Sequence, residues 1–379
     1  MIYLDNSATT KPHPEALESF NQVAAAYFAN PSSIHQFGGQ AERLLAAARE
    51  QAAGLLGVLP QEVIFTSGGT EGNNLAIKGI ALQHQSRGRH IITTAVEHPS
   101  VLEACESLEQ LGFEITVLPV DQFGLISLEA LEQAIRPDTI LISILHVNNE
   151  IGTVQDIKAI AELAKRHPKL FLHIDYVQGL GKVPLVLKDL GVDLCTMSGH
   201  KIHGLKGTGL LYVRSGVKLF SLLHGGQQEF GIRSGTENLA GAVSFVKALR
   251  LIKERERAEA GRLNKLKEDL IARLAVMEGV QINTPEQSAP HIVNFSVPGI
   301  KPEVLIHMLG EQGIYISTKS ACSSKEQSES RVLAACGHEP ARASSGLRVS
   351  FSYDTTASEL DQFIACVSEA IEQLLNIMR

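Results

Sequence analysis

Leu194-Cys195-Thr196-Met197 is followed at once by Ser198-Gly199-His200-Lys201, so an apolar run stops at a glycine that carries a polar cluster with it. A short β-rich run closed in this way predicts a strand buried on both faces. The same signature recurs over residues 63–65, 90–94, 115–118, 140–146, 170–175 and 209–213, with helix-like stretches such as 75–83 and 157–166 between the runs. This βαβ rhythm predicts an α/β fold whose large domain holds a mostly parallel seven-stranded sheet with helices on both faces. In such sheets ligands bind beyond the carboxyl ends of the strands, so chemistry is expected just after each run.

Composition changes after Asn238. Residues 238–274 are rich in Glu, Lys, Arg, Ala and Leu and predict one or two helices leading away from the sheet. Beyond them, apolar runs at 280–282, 291–297 and 347–351 and helical patterns at 302–312 and 357–377 predict a smaller α+β domain. The expected division is 14–255 for the large domain and 1–13 with 256–379 for the small one. Residues 317–346 are rich in Ser, Lys, Glu and Gly, show only a short helical pattern at 332–335, and carry Cys322. A loop this long inside a compact chain predicts function.

Bulk properties exclude several classes. Hydrophobic residues make up 44% of the chain and charged residues 20%, as in ordinary soluble proteins. A net charge of -7 argues against direct nucleic-acid binding. The N-terminus lacks the basic and apolar regions of a secretory signal, and no apolar run approaches bilayer length, so a cytoplasmic protein without a membrane role is expected. Five cysteines without a CxxC pair fit neither a disulfide framework nor zinc, and leave room for a reactive thiol. His200 and His203 have no Cys or carboxylate at ligand spacing, so no metal is expected.

Lys201 alone reads as a turn lysine. Flanked by Ser198 and His200 at a strand end, it fits a lysine that forms a Schiff base while its neighbours hold a cofactor phosphate; Lys206 is the alternative. Thr66-Ser67-Gly68-Gly69-Thr70-Glu71-Gly72-Asn73-Asn74 reads as a helix cap or as an anion cradle, where Gly69 and Thr70 open a helix N-terminus. In His173-Ile174-Asp175-Tyr176-Val177-Gln178, Asp175 either caps the next helix or pairs with a protonated ring nitrogen, and Gln178 could donate to a ring oxygen. Glu97-His98-Pro99 and Asn148-Asn149-Glu150 bring an imidazole and amides to the same sheet edge. Cys322, in Ser320-Ala321-Cys322-Ser323-Ser324, is a candidate sulfur nucleophile, and Arg348, on a predicted strand, could hold a substrate carboxylate.

Together these segments, with Tyr3-Leu4-Asp5-Asn6-Ser7-Ala8-Thr9-Thr10, Asn30-Pro31-Ser32-Ser33-Ile34-His35 and Arg233-Ser234-Gly235-Thr236-Glu237-Asn238, resemble the cysteine desulfurases of the class V aminotransferase group. The resemblance implies an aminotransferase-like large domain and pyridoxal 5'-phosphate held on Lys201. His98 would stack on the ring, Asp175 would meet its nitrogen, Gln178 its phenolic oxygen, and Thr70, Ser198 and His200 its phosphate. Thr236 would reach the phosphate in the other subunit of a homodimer. Asn149 would touch ring and substrate, and Arg348 the carboxylate of L-cysteine. Cys322 would take the sulfur as a persulfide, leaving L-alanine, and pass it to an acceptor protein of iron-sulfur cluster assembly or tRNA thiolation. The interval of 26 positions from Cys322 to Arg348 resembles the long-loop branch. A selenocysteine lyase or small-molecule aminotransferase of the same fold, or a non-catalytic sulfur-transfer scaffold, are the alternatives. Lys319, Tyr176 and Gly179 depart from the family pattern; Tyr176 is expected to crowd the cofactor cleft, and Lys319 to alter the loop.

Overall fold

The computed structural model describes residues 1–318 and 329–378. After a short strand, β1 (Ile2–Tyr3), come the seven strands of the central sheet: β2 (Val63–Thr66), β3 (His90–Thr94), β4 (Glu114–Leu118), β5 (Thr139–Leu145), β6 (Phe171–Asp175), β7 (Leu194–Ser198) and β8 (Gly209–Val213). They lie in the order β2-β8-β7-β6-β5-β3-β4. Only β8 runs against its neighbours, pairing antiparallel with both β7 and β2. The connection from β7 to β8 carries no crossover helix, and a strand that returns directly must come back antiparallel. Each of the seven runs expected from sequence is one of these strands, and the sheet is α/β and mostly parallel as expected.

Strands β3, β5, β7 and β8 are buried along their whole length, which is why their apolar residues fall on both faces instead of alternating with exposed polar ones. On one face, helices Gly69–His84 and Pro99–Glu109 pack Ile77, Ile80 and Val101 against Ile64, Leu141 and Leu211. On the other, helices Ile157–Ala164 and Leu239–Ala275 place Ile160, Phe245 and Leu249 against Ile174, Cys195 and Met197. Cys105 and Cys195 are buried in these layers, where burial pushes both thiols up from their ordinary values and keeps them protonated.

The charged run after Asn238 is a single helix, Leu239–Ala275, rather than two. It leads to β9 (Gln281–Ile282), β10 (Ile292–Ser296), β11 (Ile314–Tyr315) and β12 (Gly346–Ser350). The second sheet has the antiparallel order β12-β10-β9, and β11 pairs with β1. Helices Pro302–Glu311 and Ala357–Met378 cover it with Leu305 and Phe363, and its Phe295 and Val349 join the same core as Ile174.

The chain start is threaded between the sheets. Ser350 N–H donates to Leu4 O at 2.7 Å and Asn6 N–H donates to Ser350 O at 3.2 Å, so residues 4–6 lie along β12. From there residues 7–10 cross to the end of β7. Among the described residues, no helix is long and apolar enough to cross a membrane.

Candidate active site

The carboxyl ends of β2, β3, β5, β6 and β7 open on one pocket. Gly69, Thr70, His98, Asn149, Asp175, Gln178, Ser198, His200, Lys201 and Arg348 all line it, together with Ser7, Ala8 and Asn73. Ten of the residues expected at the site therefore meet in one place.

Lys201 closes a single 3-10 turn after Ser198. Its Nζ donates to Ala8 O at 2.7 Å and to Ser7 O, so the N-terminal segment holds the amine. Behind it, the buried Lys182 donates from Nζ to Lys201 O at 2.6 Å, and burial pulls Lys182 down to about 8. Lys206, the alternative lysine, is exposed and lines a shallower depression beside Gly207. His200 lies within reach of Thr9 Oγ1 at 3.2 Å; burial, aided by the charge of Lys201, pulls it down to about 4 and leaves it neutral.

The Gly69-Thr70 turn opens helix Gly69–His84 at the pocket. An added Cβ on Gly69 would stand 3.0 Å from Val177 Cγ2, so a side chain there would crowd the pocket. Ser198 Oγ is buried beside this turn with no hydrogen-bond partner among the described residues.

A chain of hydrogen bonds runs through the floor of the pocket. Asp175 Oδ1 accepts from Val177 N–H at 3.0 Å, and Oδ2 accepts from Asn73 Nδ2 at 2.8 Å. Asn73 Nδ2 also donates to Ser100 Oγ at 2.9 Å, which lies 2.8 Å from His98 Nδ1. Because Ser100 N–H donates to the same Nδ1 at 3.1 Å, that nitrogen is an acceptor and the neutral ring carries its proton on Nε2. Burial pulls the His98 pKa down, against the opposing charge of Asp175. Asp175 is thus satisfied by an amide rather than by a cation. Gln178 Nε2 donates to Ser7 O at 2.9 Å.

The far wall belongs to β12. Arg348 is almost fully buried; its Nη1 donates to Asn149 O at 2.8 Å and its Nη2 to Asp5 Oδ1 at 2.9 Å. Cys322 and Lys319 lie outside the described residues. Just past them, Ser330 Oγ donates to Glu150 Oε2 at 2.6 Å, and Arg331 Nη2 donates to Glu97 O at 2.8 Å, beside His98.

Thr236 is not in this pocket. It is exposed, in a separate cleft with Ser67, Thr208 and Arg233.

Tyr176 corrects an expectation. Its side chain is 1% exposed in the core, where the hydroxyl donates to Val183 O at 2.8 Å, and it does not line the pocket. Asp175 and Tyr176 point to opposite sides at the end of β6, as successive strand residues do. The same ring accounts for Gly179: an added Cβ there would stand 2.6 Å from Tyr176 Cε2 and 2.4 Å from His146 Nδ1. The two departures form one exchange of volume, a large ring at 176 and no side chain at 179.

Sequence reading missed Asp5, Asn73, Ser100 and Lys182. Asp5 and Asn73 stood in quoted motifs without a role, and Lys182 carried no local signal.

A phosphorylated pyridine fits the groups present. One pocket holds an amine, a buried carboxylate with amide support, and a serine hydroxyl, without a partner among the described residues, beside a helix N-terminus suited to a phosphate.

Comparisons with known proteins extend this across the chain. It is 47% identical over 380 residues to a NifS/IcsS protein homolog of Lactobacillus delbrueckii subsp. bulgaricus, covering 100% of this chain and 99% of that protein. It is 44% identical to the cysteine desulfurase IscS of Methanosarcina thermophila, covering 99% of this chain and 93% of that one. Among solved structures, a NifS-like protein superposes with a TM-score of 0.92 at 37% identity over 98% of this chain and 99% of that one. The aminotransferase class-V family model matches residues 2–363, a span that holds all three sheets and every pocket residue named above, and the chain belongs to that family.

Proposed function

We propose that this chain is a pyridoxal-phosphate-dependent cysteine desulfurase, which takes sulfur from L-cysteine and releases L-alanine. The observation that carries the reading is the convergence of Lys201, Asp175, His98 and Arg348 on one pocket. Lys201 would hold the cofactor through its amine, with Gly69, Thr70, Ser198 and His200 at the phosphate. Asp175 would meet the ring nitrogen, Gln178 the phenolic oxygen, His98 the ring face, and Asn149 ring and substrate.

When bound, the cofactor withdraws electrons from Cα of the amino acid attached to it. Arg348 fixes that amino acid by its carboxylate. Lys201 Nζ would be the base that takes the α-proton of the amino acid; the carbonyls of Ser7 and Ala8 orient it. The Cys322 thiolate attacks the substrate sulfur: an S–S bond forms, the Cβ–S bond breaks, and its electron pair stays with the carbon fragment. The proton given up by the substrate thiol ends on Cβ and completes the alanine methyl group, and Lys201 Nζ returns the α-proton to Cα, so no net proton is gained or lost. Cys322 is left as a persulfide, whose outer sulfur passes to an acceptor protein.

The acceptor is a protein of iron-sulfur cluster assembly or tRNA thiolation, and the reaction takes place in the cytoplasm. The working unit is a homodimer in which Thr236 serves the partner's phosphate. Residues 14–255 form the cofactor domain; 1–13 and 256–379 form the domain bearing Cys322. The exposure of Thr236 in a cleft apart from Lys201 supports the dimer reading.

The test uses the cofactor-loaded enzyme with L-cysteine and excess dithiol. Cys322→Ala is expected to lose most sulfide release while keeping the visible cofactor band. Sulfide release at the wild-type rate would replace this reading with a lyase or aminotransferase that does not use the thiol.

A further inference from the structure

A buried guanidinium must have its charge answered, and the Arg348 side chain is only 1% exposed. Its answer comes from the other end of the chain: Asp5, 343 positions away, accepts from Nη2 at 2.9 Å. Asn149 O accepts from Nη1 at 2.8 Å. The third nitrogen, Nε, is buried without a partner among the described residues.

Asp5 reaches Arg348 because Leu4 and Asn6 bond the backbone of Ser350, two residues along β12. Its own side chain is 20% exposed, so the ion pair lies largely out of water, where charge-assisted hydrogen bonds are strong. A guanidinium is planar, with five N–H groups in fixed directions. Anchoring one hydrogen on each terminal nitrogen sets the tilt of that plane and leaves the Nε edge uncommitted. A carboxylate gripped by two parallel bonds needs two such donors already aligned.

We propose that Asp5 is a positioning residue for substrate recognition: it fixes Arg348 so that the uncommitted edge of the guanidinium meets the carboxylate of the amino acid, without itself touching the substrate. Asp5 is absent from the pocket lining, as a residue acting through Arg348 should be. Its negative charge also makes Arg348 half of a neutral pair, which lowers the attraction of the wall for anions that cannot use the fork. The inference rests on the reading of Arg348 as the carboxylate partner.

The experiment compares Asp5→Ala, Asp5→Asn, Arg348→Ala and the Asp5→Ala/Arg348→Ala double variant as cofactor-loaded enzymes, with L-cysteine and with L-cysteine methyl ester. Binding of L-alanine, read from the cofactor absorbance, gives an affinity without turnover. Asp5→Ala should raise KM for L-cysteine and weaken L-alanine binding about tenfold while kcat moves less than about twofold; Arg348→Ala should do so about a hundredfold. The ester should show no KM penalty in Asp5→Ala, and the double variant should be no worse than Arg348→Ala. Asp5→Asn, which keeps an acceptor but no charge, should bind better than Asp5→Ala and be inhibited by sulfate more readily than the wild type. Equal losses on acid and ester, or additive losses in the double variant, would make Asp5 merely structural and overturn the proposal. If Arg348→Ala leaves KM unchanged, the carboxylate reading of Arg348 fails; if it raises KM and Asp5→Ala does not, only the role of Asp5 fails.

Discussion

The floor and the far wall of the pocket are held by different means. On the floor, Asp175 is gripped by the N–H of Val177 and His98 by the N–H of Ser100, each two positions away, and Asn73, at the start of the helix after β2, ties the two together. On the wall, Arg348 depends on Asp5 and on Asn149, 343 and 199 positions away. Strand-end turns make the floor, so its groups stay aligned as long as the central sheet is folded. The wall exists only while β12, the chain start and the loop after β5 are packed together. Floor substitutions should therefore strike chemistry and cofactor retention, and wall substitutions should strike substrate affinity.

The largest effect is expected at Lys201. Lys201→Ala should lower kcat by about 10²–10⁴-fold in stopped-flow or steady-state alanine formation, because the base for the α-proton is gone. A loss confined to KM would erase the contrast between floor and wall.

Asn73→Ala probes whether the floor acts as one network. It removes the amide donor to Asp175 and leaves that buried oxygen unanswered, at a cost of about 1–3 kcal/mol in chemical unfolding of the cofactor-free protein. Cofactor should also dissociate faster. Unchanged stability would mean that Asp175 finds water instead.

Glu97 sharpens the comparison through pH. Its Oε1 accepts from Thr94 Oγ1 and Leu145 N–H, while Oε2 is buried without a partner among the described residues. Burial, reinforced by Asp175, raises it to about 8, well above an ordinary glutamate. The folded protein thus keeps a proton that the unfolded chain has released. The associated stability is fully present below the ordinary glutamate range and is lost as pH rises toward 8. The wild type should lose up to about 1.4 kcal/mol per pH unit from this group across that window, and Glu97→Gln should lose correspondingly less. Parallel curves for the two proteins would refute the assignment.

The smallest effect belongs to the seam that carries the chain start. Ser350 Oγ accepts from Ser7 N–H at 2.8 Å, so Ser350→Ala should cost about 1 kcal/mol and raise KM modestly, since backbone pairing at Leu4 and Asn6 survives. A kcat loss with KM unmoved would show that the seam serves Lys201, through Ser7 O and Ala8 O, more than Arg348.

Legibility followed the same division. Lys201, Asp175, His98 and the Gly69-Thr70 turn could be read because each follows an apolar run directly, and a parallel sheet collects strand ends at one edge. Asn73 lay in a recognised motif, but whether its amide faces a carboxylate or solvent depends on how helix Gly69–His84 rotates over β6. Tyr176 follows Asp175 directly, yet strand alternation sends its ring into the core beside Gly179 and not into the cleft.

By itself, the order of residues determined the seven strands, the α/β class and the ends at which chemistry gathers, since hydrophobic period and turn chemistry are local properties of a chain. Only the tertiary structure decided that Asp5 answers Arg348, that Ser7 and Ala8 hold the amine of Lys201, and that Lys182 braces it from behind. Those contacts span from 19 positions at Lys182 to 343 at Asp5, and their partners follow from how separate segments seat against one another, which no local pattern encodes.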